Sequence, residues 1–138
     1  METTNEAHLV LIADENGIAN AFSRLKARLA DHSASSLTLV YALLHDDKKP
    51  MFREELQSLE KRFSTLLEVK MIACEGNIAT MKSRIREAIE VILNCNIHPV
   101  MRFYASGNPE MVEAIRKILV FLGVRPADIT TEIYQSQL

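Results

Sequence analysis

The stretch FYASGNPEMVEAIRKILVFLGVRPADITTEIY, residues 103–134, decides the fold. It opens on an apolar run, Phe103-Tyr104-Ala105, and turns at Ser106-Gly107-Asn108. A helical stripe follows, Met111, Ile115, Ile118, Leu119 and Leu122, with the spacing that puts apolar side chains on one helix face. The helix has clean ends. Asn108 suits the N-cap, Pro109 the first turn where no amide bond is lost, and Glu110 the positive end of the dipole, while Gly123 is free to take the left-handed conformation that closes it. After it, Ile129, Thr131 and Ile133 alternate with Thr130, Glu132 and Tyr134, the pattern of a half-exposed strand at a sheet edge.

Outward from this end the same unit repeats. Strand-length apolar runs occupy residues 9–13, 37–44, 66–73, 100–105 and 129–134. The second holds Leu37, Leu39, Val40, Tyr41, Leu43 and Leu44 almost without polar interruption, as a strand covered on both faces requires. Three further helical stripes lie between the runs: Ile18, Phe22, Leu25 and Leu29; Phe52, Leu56, Leu59 and Phe63; and Met81, Ile85, Ala88, Ile89 and Ile92. Strand and helix alternate to a fifth strand, so the connections are helical crossovers and the sheet is mostly parallel. The expectation is a doubly wound α/β domain, a five-stranded sheet of order 3-2-1-4-5 with helices on both faces. It spans residues 1–138 as one domain, with only residues 1–7 loose.

Composition excludes several function classes. Sixteen Lys and Arg against eighteen Asp and Glu leave a net charge of −2, with no broad field for nucleic acid or anionic lipid. No apolar run approaches a membrane span, and the polar start lacks a signal peptide's basic and apolar regions, which predicts a cytosolic protein. Cys74 and Cys95 form no Cys-x-x-Cys pair and read as buried thiols, without disulfide or zinc. His8, His32 and His98 show no metal-ligand spacing and read as structural histidines, so no metal is expected. Met81 and Met111 fall on apolar stripes and are expected in the core.

In this fold class ligands sit at the carboxyl ends of the strands, here the loops at 14–17, 45–49, 74–78 and 106–109. The first, Asp14-Glu15-Asn16-Gly17-Ile18, runs from strand to helix with geometry that suits an anion. It has one glycine and no G-x-G-x-x-G. Asp14 and Glu15 are expected to be exposed, setting two negative charges near any diphosphate, each costing about 4 kcal/mol at about 4 Å and an effective dielectric near 20. In the fourth loop Gly107 permits close approach of a planar ligand, although by spacing alone a well-capped strand-to-helix turn is the simpler expectation. His45, Asp46 and Asp47 lie where acidic groups bind ribose in other doubly wound proteins, but a solvated turn is the simpler expectation.

Phe103 through Ile115, then Leu122-Gly123-Val124 and residues 129–134, closely resemble the end of ferredoxin reductase-like flavoenzymes. There the order is a hydrophobic strand, Cys or Ser, G-P-P-x-M-V, an amphipathic helix, L-G-V and a strand ending Glu-x-aromatic. Upstream, Leu11-Ile12-Ala13 with Asn16-Gly17-Ile18-Ala19 resembles that family's nucleotide loop, G-G-T-G-I-A-P or G-G-I-G-I-T-P. Tyr41 and Phe52-Arg53-Glu54-Glu55-Leu56 resemble its second strand and F-x-x-E-L helix.

The resemblance implies binding of NADH or NADPH, whose nicotinamide is presented to FAD or FMN on a separate N-terminal β-barrel. It places Asn16, Gly17 and Ile18 at the diphosphate and nicotinamide, and Ser106, Gly107 and Asn108 beside the ring. Three departures stand out. Asp14 and Glu15 replace the loop's two glycines and Asn20 its proline; Leu43-Leu44-His45 stands where relatives often carry an adenosine-contacting arginine; and the length leaves no room for the flavin barrel or its R-x-Y-[ST] motif. The chain alone is therefore expected not to complete a reaction and to need a flavin-binding domain or subunit. The alternative is a non-catalytic relative serving as an interaction or regulatory module.

Overall fold

The computed structural model describes residues 8–31, 36–44, 50–95 and 100–134, with the side chain of Cys95 outside the description. His32, the loop at 45–49, His98 and residues 1–7 lie outside the described residues. The elements run β1 (His8–Ala13), α1 (Ile18–Ala30), β2 (Leu37–Leu43), α2 (Arg53–Arg62), β3 (Leu67–Ala73), α3 (Ile78–Cys95), β4 (Met101–Gly107), α4 (Pro109–Phe121) and β5 (Ile129–Ile133), with one 3-10 turn at Pro126–Asp128. The sheet order is β3-β2-β1-β4-β5, and every neighbouring pair is parallel. This is the doubly wound α/β architecture the alternation implies.

Period-two alternation divides the core into two layers. Val10, Ile12 and Val40 face α3 and α4, where they meet Met81, Ile85, Ile89, Ile115 and Leu119. Leu11, Leu39 and Tyr41 face α1 and α2, where they meet Ile18, Phe22, Leu25 and Leu56. All seven residues of β2 are buried, whereas no residue of β5 is: Ile129, Thr131 and Glu132 are half-buried and Thr130 and Ile133 exposed. β5 is thus the half-exposed edge expected, but strict alternation stops at Glu132, which is held by side chains of β4 and α1. Cys74, Met81 and Met111 are buried as expected. His8 bonds Ser36 and, at 2.9 Å, Thr38, which satisfies both ring nitrogens at the amino end of the sheet.

The ends of α4 follow the local chemistry read above. Asn108 Oδ1 accepts from the Glu110 amide at 2.9 Å, and Gly123 at φ +99° closes the helix as the amides of Gly123 and Val124 donate to Val120 and Leu119. Strand boundaries otherwise fall within a residue of the apolar runs, but the end of β4 differs by two. β4 continues to Gly107 rather than ending at Ala105, because Ser106 pairs with Ala13 and Glu132, and Gly107 with Ile133. Pairing on both sides carries the strand through what reads as a turn, and that extension positions the site.

Candidate functional site

The sheet order reverses between β1 and β4, the switch point outside whose carboxyl strand ends doubly wound folds place their ligand crevice. Because Ala13 and Ser106 are register partners, the loops that follow β1 and β4 leave the sheet side by side. Asn16, Gly17 and Ile18 thus come together with Ser106, Gly107 and Asn108. Two very close approaches join them. A Cβ on Gly17 would lie 2.1 Å from the carbonyl oxygen of Ser106, and one on Gly107 would lie 2.2 Å from Oδ1 of Asp14. Gly17 has an ordinary backbone, φ −106° and ψ −4°, so proximity rather than conformation demands glycine there. Ser106 is completely buried and its hydroxyl donates to the Gly17 carbonyl at 3.3 Å. Ile18 is buried, Asn108 half-buried and Asn16 exposed.

The two acids of the first loop do not face outward. Asp14 is only 3% exposed. Its Oδ1 accepts from the amides of Asn16 at 2.8 Å and Gly17 at 3.0 Å, and its Oδ2 from the amide of Asn108 at 3.0 Å. Glu15 is half-buried and accepts from the Leu44 amide at 3.1 Å, tying the loop to the end of β2. The expectation of two exposed charges is corrected: each carboxylate has backbone amides within reach that only the folded sheet supplies. Burial pushes the Asp14 carboxyl above its usual range; the amides of Asn108, Asn16 and Gly17 oppose this, and the charge of Glu15 adds to it.

The start of α1 has no side-chain cap and no acid in its first turn. Its leading amides and dipole therefore offer a donor set for a phosphate. The nucleotide implied by the resemblance fits this donor set. The space directly over Gly107, by contrast, holds the Asp14 carboxylate.

Beside the crevice lies a polar cluster that the sequence reading did not assemble. Glu132 accepts from the hydroxyls of Tyr104 at 2.5 Å and Tyr134 at 3.2 Å, from Asn20, and from Arg24 at 3.2 Å. The Arg24 guanidinium also sits over the Tyr104 ring, 4.3 Å from its centroid. The Tyr104 hydroxyl holds the Glu132 carboxyl below its usual range, with Tyr134 and Arg24 assisting and slight burial opposing. The polar face of β5 in the alternation pattern was the available signal. Nothing local marks Asn20 and Arg24 as its partners.

Tyr41 is fully buried, and its hydroxyl has no hydrogen-bond partner among the described residues. Burial, with the charge of Glu15 adding, pushes it up to about 12; the nearby Met51 backbone opposes without reaching hydrogen-bond geometry. Tyr41→Phe is expected to raise stability by about 1 kcal/mol by removing an unsatisfied buried group, read as a higher denaturant midpoint at unchanged slope. A lower midpoint would show that the hydroxyl is held.

Residues 11–117 match the model of the oxidoreductase NAD-binding domain family. The chain belongs to that family. Solved structures agree on the architecture of this NAD-binding domain. Ferredoxin-NADP+ reductase from Plasmodium falciparum superposes with a TM-score of 0.75 at 17% identity, over 94% of this chain and 54% of that one. Flavohemoglobin from Malassezia yamatoensis, with bound FAD and heme, gives 0.70 at 18% identity over 97% and 33%. A ferredoxin NADP+ reductase from Neisseria gonorrhoeae, with bound FAD and NADP, gives 0.68 at 20% identity over 91% and 55%. The chain spans about half the length of the two ferredoxin reductases it matches. No match is found among curated proteins. Among the described residues no helix is long and apolar enough to cross a membrane, and no group of three or more His, Cys, Asp or Glu is placed to hold a metal ion.

Proposed function

We propose that this NAD-binding domain is the pyridine-nucleotide module of a flavin-dependent oxidoreductase of the cytosol, passing hydride from NAD(P)H to FAD or FMN held on a separate domain or subunit. One observation supports the reading: α1 starts, without a side-chain cap, at the switch point between the β1 and β4 loops, while Asp14 and Glu15 are engaged with backbone amides. Asn16, Gly17 and Ile18 flank the diphosphate, and Ser106, Gly107 and Asn108 border the nicotinamide. The bound nucleotide supplies the hydride; this chain supplies orientation. Gly17, packed on the Ser106 carbonyl, keeps the two loops at a set distance, and that spacing determines where the nucleotide lies. The larger similar chains, two of them with bound FAD, support a flavin-carrying partner.

Calorimetric titration with NADH and with NADPH tests the proposal. Binding of one or both at a Kd below about 1 mM, near −4 kcal/mol, is expected. No binding of either at millimolar concentration would sink it.

A second reading, a non-catalytic interaction or regulatory module, draws on the Asp14 carboxylate lying against Gly107. It fails if the chain binds nucleotide tightly and reduces an acceptor once a flavin domain is added.

A further inference from the structure

Two loops far apart in the sequence meet in one contact, between Asp14 and Asn108. In the pattern G-P-P-x-M-V the position of Asn108 is proline, which has no N–H to donate. The positions of Asp14 and Glu15 are glycines, which have no side chain to accept. Here both positions differ from that pattern, and Asp14 Oδ2 takes the Asn108 amide at 3.0 Å. Either change alone would leave a buried carboxylate short of a donor or an amide short of an acceptor, each costly. Together they close a bridge between the first and fourth loops.

That bridge also fills space. The side of Gly107 on which a Cβ would stand is occupied by the carbon and both oxygens of the Asp14 carboxylate, at 2.6, 2.2 and 2.8 Å from that position. Gly107 is thus covered where the absence of a side chain would admit a flat ligand. On its other side the loop is strapped to β2 through Glu15 and the Leu44 amide.

We propose that Asp14 is an internal latch on this crevice: its carboxylate holds the two loops together over Gly107, and a flat ring reaches Gly107 only when the latch opens. The latch rests on the reading of the crevice as a nucleotide site, and it regulates that site. Opening breaks the hydrogen bond that crosses between the loops, from the Asn108 amide to the carboxylate, while the bonds to Asn16 and Gly17 fix the carboxylate within its own loop. The closed form dominates and the apparent affinity is lowered by the open fraction.

The test titrates the wild-type chain, Asp14→Gly and Asp14→Asn with NADH and NADPH by calorimetry. Amide hydrogen exchange at Asn16, Gly17 and Asn108 serves as a readout that needs no ligand. Asp14→Gly is expected to bind roughly tenfold tighter or better and to exchange faster at all three amides. Asp14→Asn keeps the shape but loses one acceptor, so a several-fold gain with faster exchange mainly at Asn108 is expected, and this variant carries the test if the glycine variant does not fold. Wild-type binding with no gain in either variant overturns the latch and leaves the nucleotide reading standing. No binding by any of the three overturns the nucleotide reading, and the latch falls with it.

Discussion

Replacing Gly17 with alanine is expected to destabilise the protein by about 3 kcal/mol, lowering the thermal midpoint by roughly 10 °C. The added methyl would stand 2.1 Å from the carbonyl oxygen of Ser106 and 2.3 Å from its carbonyl carbon. Both are main-chain atoms of β4, which is paired to β1 on one side and β5 on the other, so they cannot swing away as a side-chain tip would. The backbone of Gly17 is one alanine adopts readily, so conformational strain adds nothing and the loss reports the clash alone. Equilibrium denaturation would measure it. A loss under about 1 kcal/mol would mean that the two loops do not meet this closely in solution.

Gly107→Ala is the second large effect, a loss of about 2 to 3 kcal/mol. Here the methyl meets a side chain, the Asp14 carboxylate at 2.2 Å, and the backbone at φ +150° adds strain for any residue with a Cβ. The origin of the cost can be separated by a double-mutant cycle. Asp14→Gly removes the obstructing group, so Gly107→Ala should cost about 1 kcal/mol or more less in that background than in the wild type. The remaining cost is the backbone strain. Additive losses would show that the carboxylate does not lie against Gly107. The cycle reads the same contact as the ligand titrations above without requiring a ligand.

Much of the fold was legible because its signals are short in range. The period of two along β5 and of 3.6 along α4 each involve neighbours within a turn or a few residues. The Asn108 cap and the Gly123 stop are equally local, since each bonds within five residues of itself. The site was legible in outline for the same reason: loops at the carboxyl ends of strands follow from the order of elements alone. The end of β4 was missed because its last two residues pair with β1 and β5, and no local feature of Ser106-Gly107 announces that pairing.

By itself, then, the sequence determined the alternation of strands and helices, the parallel doubly wound sheet, the caps of α4, the exposed edge at β5 and the two loops that form the crevice. Only the tertiary structure decided the state of the acids. Asp14 and Glu15 read as charges set against a diphosphate. They became inward-facing acceptors once parallel pairing placed Asn108, 94 residues from Asp14, and Leu44, 29 residues from Glu15, within hydrogen-bond reach. A carboxylate's effect on a ligand depends on what solvates it, and amides contributed by distant strands are no property of the loop in which the carboxylate is encoded. The Glu132 cluster with Tyr104, Asn20 and Arg24 arises in the same way, from three elements brought together at the carboxyl edge of the sheet.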